Sequence, residues 1–136
     1  MWSNDSARLR KKGQILITPA GCFNGGVVQG YVVRVSLQGE VITREEPSNE
    51  LPTRLGAYRT NENVNAGVHS HPPNAVELVC AGMKIPVMIP EHAVMVKRME
   101  VVDFVIPGEH GARAIAIKPK GCDIIGTRNR GSLFDG

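Results

Sequence analysis

The chain has 136 residues, enough for one domain with a real core, and 42% apolar against 21% charged residues exclude a globally disordered polymer. A net charge of +3 is too mild to imply a polyanionic partner, and no apolar run is long enough to span a membrane. Aromatic residues make up only 4% of the chain, so the core must be mainly aliphatic.

In chain order, Met1 to Lys12 is polar and reads as a loose lead-in. Its basic cluster, Arg8, Arg10, Lys11 and Lys12, has no interleaved aromatics on which bases could stack. It reads as a solvated terminus rather than a nucleic-acid surface. Gln14 to Thr18 predicts a short strand closed by the turn Pro19-Ala20-Gly21. After a second turn at Asn24-Gly25-Gly26, the β-branched run Val27 to Val35 predicts the clearest strand. Gln38-Gly39 then turns the chain into a hairpin partner, Val41-Ile42-Thr43.

Ser48-Asn49-Glu50-Leu51-Pro52 carries the marks of a helix start: a capping residue, an acid and an early proline. Leu51, Leu55 and Tyr58 follow at helical spacing, and the helix should end near Thr60-Asn61. Val64 to His71 predicts a strand. Pro72-Pro73-Asn74 opens a second helix with Val76, Val79 and Cys80 on one face, stopped by Gly82. Ile85 to Pro90 is extended by its prolines. Val101 to Ile106, Ala112 to Ile117 and Asp123 to Ile125 are further strand candidates. Cys22, Cys80 and Cys122 form no C-x-x-C pair and read as reduced thiols. With no basic-then-apolar leader, the expectation is a cytoplasmic protein.

The chemistry concentrates at Gly67-Val68-His69-Ser70-His71-Pro72-Pro73. Residues at i and i+2 of a strand leave one face, which would root both imidazoles roughly 7 Å apart. That suits two ligands of one divalent cation such as zinc, and it equally suits two solvated imidazoles at a polar strand end. Glu50, at the start of the preceding helix, could return against the histidines as a general acid/base, or serve the helix dipole alone. The Thr18 to Gly21 turn and the Ser48-Asn49 helix start could offer backbone donors to a phosphate, although such turns are more often structural. Glu91-His92 and His110 are weaker candidates for further ligands.

The run Val64-Asn65-Ala66-Gly67-Val68-His69-Ser70-His71-Pro72-Pro73, followed by Ala81-Gly82-Met83-Lys84-Ile85-Pro86, resembles the central signature of the class II aldolase/adducin family. The likeness extends outwards through Ile15 to Gly21, Ser48 to Pro52 and Ala57-Tyr58-Arg59, covering about residues 14 to 106. The resemblance implies a single three-layer α/β/α domain over residues 1–136 with a central, mostly antiparallel sheet. It also implies a homotetramer with sites at subunit interfaces. Such proteins hold zinc, or another divalent metal, with three histidines, of which His69 and His71 match two. The metal stabilises an ene-diolate on C–C cleavage of a ketose 1-phosphate, Glu50 matches the residue that moves the proton, and Gly21, Ser48 and Asn49 match the loops that hold the phosphate. No nucleic acid and no membrane enter this reading.

The departures are equally specific. Where the family carries its third histidine, this sequence has Asn129-Arg130-Gly131, and a guanidinium has no lone pair for a metal. Ala20 replaces a hydroxyl residue of the phosphate turn, and the family's upstream Gly-Asn loop and downstream helices have no match. Two readings follow: a metal-dependent sugar-phosphate lyase, with epimerase or dehydratase chemistry as variants, or a non-catalytic oligomerisation or ligand-binding module like the adducin head.

Overall fold

A computed structural model of the chain describes residues 4–22, 30–83, 85–86, 90–95, 99–102 and 124–127. Their contacts divide into two compact units, the first containing the described residues from Asn4 to His71 and the second those from Pro72 to Thr127.

The first unit is a four-stranded antiparallel sheet under one helix. Its strands are β1 (Asn4–Leu9), β2 (Gln14–Ile17), β3 (Val33–Ser36) and β4 (Ala66–His69), in the order β3-β2-β1-β4. Helix α1 spans Leu51–Thr60. Partners directly opposite in an antiparallel ladder point to the same face. The registers Asn4 with His69, Ser6 with Gly67 and Ile17, Arg8 with Ile15, and Ile15 and Ile17 with Val35 and Val33 therefore define one inner face. On it Ile15, Ile17, Val33 and Val35 are buried against Leu55 and Tyr58 of α1, an aliphatic core as the composition required.

This arrangement corrects the reading of the first twelve residues. The polar segment taken for a loose lead-in forms β1, an interior strand of the sheet, followed by a 3-10 turn at Arg10–Lys12. Its inward polar side chains are satisfied along α1 turn by turn. Asn4 accepts from Arg54, Ser6 Oγ lies 2.9 Å from Tyr58 Oη, and Arg8 donates to the carbonyls of Tyr58, Asn61 and Val64. Two strand residues advance about 6.6 Å and four helix residues about 6 Å, so successive inward residues of β1 meet successive turns of α1. Arg8 accordingly belongs to the helix C-terminus rather than to a solvated basic patch, and Arg10 Nε donates to Asn65 Oδ1 at 2.7 Å.

Other expectations hold in narrower form. The strand expected over Val27 to Val35 is a strand at Val33–Ser36, with residues 23–29 outside the described set. Its partner at Val41 is a single bridge to Val35, closed by a turn at Gly39 with φ of 101°. Pro72 and Gly82 bracket the second helix, α2 (Pro73–Cys80), as read from the sequence. Of its expected apolar face, Val79 is buried while Val76 and Cys80 are exposed.

The second unit also holds α3 (Pro90–Met95) and the parallel pair β5 (Met99–Val102) and β6 (Ile124–Thr127). The start of α3 replaces extended chain at Pro90. Val79 packs on the parallel pair at Gly126, where an added Cβ would lie 3.2 Å from Val79 Cγ2 and 3.1 Å from Met99 Cε. The strand candidate at Ala112 to Ile117, His110, Cys122 and Asn129-Arg130-Gly131 lie outside the described residues. No helix among the described residues is long and apolar enough to cross a membrane.

Candidate active site around the histidine pair

The first unit brings its functional candidates to the N-terminal end of α1 by register and helix pitch. β4 ends at His69, so His71 stands beyond the strand rather than at its next inward position. The chain nevertheless turns its ring back onto His69. The two imidazoles meet edge to face at 89°, 4.6 Å between centroids, with Nε2 to Nε2 at 3.1 Å. Two bonds of about 2.0–2.1 Å to one tetrahedral ion would set their nitrogens about 3.3 Å apart, so this spacing fits shared coordination of a divalent cation. It also fits an N–H···N hydrogen bond between neutral rings. Among the described residues no group of three or more His, Cys, Asp or Glu is arranged around a metal position. His92 lies on α3, and its side chain is outside the described set, as is His110.

Glu50 takes the N-cap position of α1, one residue before the helix rather than in its first turn, with no side-chain capping bond. Ser48 does part of the capping instead: its Oγ accepts from the Glu50 N–H at 3.3 Å and its carbonyl from the Leu51 N–H at 2.9 Å. The Glu50 carboxylate is thus left to its surroundings, and it acts electrostatically on His69. Burial pushes the His69 imidazole pKa below its usual value. The Glu50 carboxylate opposes this, whereas His71 and Arg54 add to it. The net effect keeps His69 neutral, with the lone pair a metal requires.

Sequence reasoning missed Arg54, although the signal was present: it stands four residues after Glu50, on the same face of α1. Its Nη2 donates to the Asn4 carbonyl at 3.1 Å and to Asn4 Oδ1 at 2.9 Å, while its buried Nε finds no partner among the described residues. Burial lowers its pKa, with Tyr58, Glu50 and Asp5 opposing, and it remains a cation at neutral pH.

The turn and helix start read as phosphate donors are neighbours in the fold. Pro19 bridges Pro47, the Ala20 N–H donates to Glu46 O at 2.9 Å, and the Ser48 N–H donates to Thr18 O at 3.1 Å. Gly21 completes the turn with φ of 66°, a left-handed conformation open to glycine. Gly21 and Asn49 are exposed, whereas Ser48 is buried with its N–H already engaged.

Residues 1–134 match the model of the class II aldolase and adducin N-terminal domain, and the chain belongs to that family. It is 30% identical over 102 residues to an L-fuculose phosphate aldolase of Methanococcus maripaludis, covering 75% of this chain and 56% of that protein. It is 32% identical over 93 residues to the L-ribulose-5-phosphate 4-epimerase UlaF of Salmonella paratyphi B, covering 68% and 41%. The crystal structure of YgbL from Escherichia coli superposes with a TM-score of 0.85 at 25% identity, covering 93% of this chain and 64% of that one. The chain spans about half the length of the curated relatives it matches. The α/β fold and the family expected from the motifs are therefore both established.

Proposed function

We propose that the protein is a divalent-metal-dependent lyase that cleaves a ketose 1-phosphate by a retro-aldol reaction. The observation that carries this reading is the convergence of His69 Nε2 and His71 Nε2 at 3.1 Å beside Glu50, in a chain of the aldolase family. His69 and His71 would hold the cation, zinc or another divalent metal. When bound, such a cation supplies Lewis acidity to the carbonyl and hydroxyl oxygens of the sugar. Retro-aldol cleavage removes a proton from a hydroxyl and must return one to carbon, and Glu50, which acts electrostatically on His69, would carry it. The exposed Gly21 turn and Asn49, with Ser48, are the residues this reading assigns to the sugar's phosphate. This reading extends to a homotetramer in the cytoplasm, with neither nucleic acid nor membrane as partner.

The likeness to a 4-epimerase keeps epimerisation as a variant of this reading, so the assay panel includes a pentulose 5-phosphate. Arg130, where the resemblance expects a third imidazole, favours a second reading: a non-catalytic module retained for assembly or ligand binding. One experiment separates the two. Elemental analysis of the purified protein should find about one zinc per chain, lost in His71→Ala, as expected when one of two imidazole ligands is removed. Zinc-loaded protein should then cleave a member of a ketose 1-phosphate panel. Failure to take up metal after reconstitution would leave the second reading standing.

A further inference from the structure

We infer that Arg54 is a positioning residue for His69, clamping β1 to β4 at the Asn4–His69 register from a position that a side chain at 67 would contest. The observations are geometric. Arg54 Nη2 binds both the carbonyl and the side-chain oxygen of Asn4, the residue directly opposite His69 in the ladder. Its guanidinium crosses β4 so closely that a Cβ on Gly67 would lie 2.7 Å from Arg54 Nη1 and 3.2 Å from Ser6 Oγ. Gly67 is not among the positive-φ glycines, so its backbone does not demand glycine; a side chain there would instead force the end of Arg54 to move. Ser6, opposite Gly67, donates to the Gly67 carbonyl at 3.3 Å and sits 2.9 Å from Tyr58 Oη. Arg54 and Tyr58, one helical turn apart on α1, thus bind Asn4 and Ser6, consecutive inward residues of β1 that lie opposite His69 and Gly67 of β4.

The placement runs against local electrostatics. A cation in the first turn of a helix opposes the helix dipole, and burial disfavours its charge further. Removing that charge by itself would make a nearby divalent cation bind more tightly, because like charges repel. Losing a clamp would make it bind more weakly. The two roles therefore predict opposite signs, which makes the assignment testable.

The first test needs no metal. In a double-mutant cycle read by urea denaturation, Gly67→Ala should lower the unfolding midpoint, and the loss should shrink when Arg54→Ala is also present. Equal losses in both backgrounds would overturn the crossing. Hydrogen exchange on the metal-free protein should speed up in Arg54→Lys at residues 4–6 and 67–69 while the amides of β2 and β3 keep wild-type protection. Uniform acceleration over the whole sheet would show a merely structural role.

The second test rests on the metal reading. Arg54→Lys and Arg54→Gln should both bind zinc more weakly in chelator competition, by about 10–100-fold, the range typical when a residue supporting a metal ligand is changed. Tighter binding by Arg54→Gln would overturn the clamp and leave only a repulsive charge. Absence of zinc from the wild type would defeat the proposed function, while the cycle and the exchange pattern would still decide the role of Arg54.

Discussion

The two ends of α1 each receive a half-buried arginine on the sheet side, and they use it differently. At the C-terminal end, Arg8 of β1 gives its N–H groups to the carbonyls of Tyr58, Asn61 and Val64 and lays its guanidinium 5.1 Å over the Tyr58 ring. Arg59 joins it there, donating to Leu37 O at 2.6 Å. Cations at a helix C-terminus meet unpaired carbonyls and the negative end of the dipole, so this end is locally consistent. At the N-terminal end Arg54 sits where neither the dipole nor burial favours it, beside a carboxylate that does no capping and two converging imidazoles. Folded chains violate local preferences chiefly where function compensates. Under the proposed function, the C-terminal end serves stability and the N-terminal end would carry the chemistry. A cavity of about 540 Å³ lies at the C-terminal end, between Arg8, Leu37, Tyr58 and Glu62, where both guanidiniums are already engaged with carbonyls.

The sharpest way to break this contrast is at Glu50. Glu50→Gln should cost turnover about 10²–10⁴-fold, the usual contribution of a general acid/base, while zinc content and thermal midpoint stay near wild type. A large drop in thermal stability would return Glu50 to a structural role. Arg8→Ala should do the reverse. Removing the guanidinium leaves three carbonyls to find other donors, a cost of about 2–3 kcal/mol in urea unfolding, with metal uptake unchanged. Were metal uptake to fall with it, the two ends would not be separable.

Smaller effects sharpen the boundary between the ends, at the middle of the helix. Tyr58→Phe removes the partner of Ser6 Oγ and should cost about 1 kcal/mol, since Ser6 still reaches the Gly67 carbonyl. The smallest effect expected is on pH dependence. Because the folded protein holds the His69 pKa below its usual value, the unfolded chain binds a proton first as pH falls. Stability of the metal-free protein should therefore decline below about pH 6.5 and level off once folded His69 is itself protonated. His69→Asn should flatten that decline; an unchanged slope would mean another group is responsible.

Much of this was legible before the fold was known. The turns at Gly21 and Gly39, a helix starting within Ser48 to Pro52 and ending near Asn61, and the proline start and glycine stop of α2 follow from backbone chemistry local to a few residues. The family signature likewise lies along the chain, and the family comparison bears it out. Tertiary structure decided what depends on partners distant in sequence. Asn4-Asp5-Ser6-Ala7-Arg8-Leu9 has no apolar stripe, and it becomes an interior strand because α1 supplies a polar partner at each inward position. The glycine at 67 gains its meaning from an arginine on α1, and the meeting of His69 with His71 depends on the path of the chain beyond the end of β4. Local propensity acts over one turn or one pleat, whereas the environment of Glu50, Arg54 and His69 is set by register across the sheet and pitch along the helix.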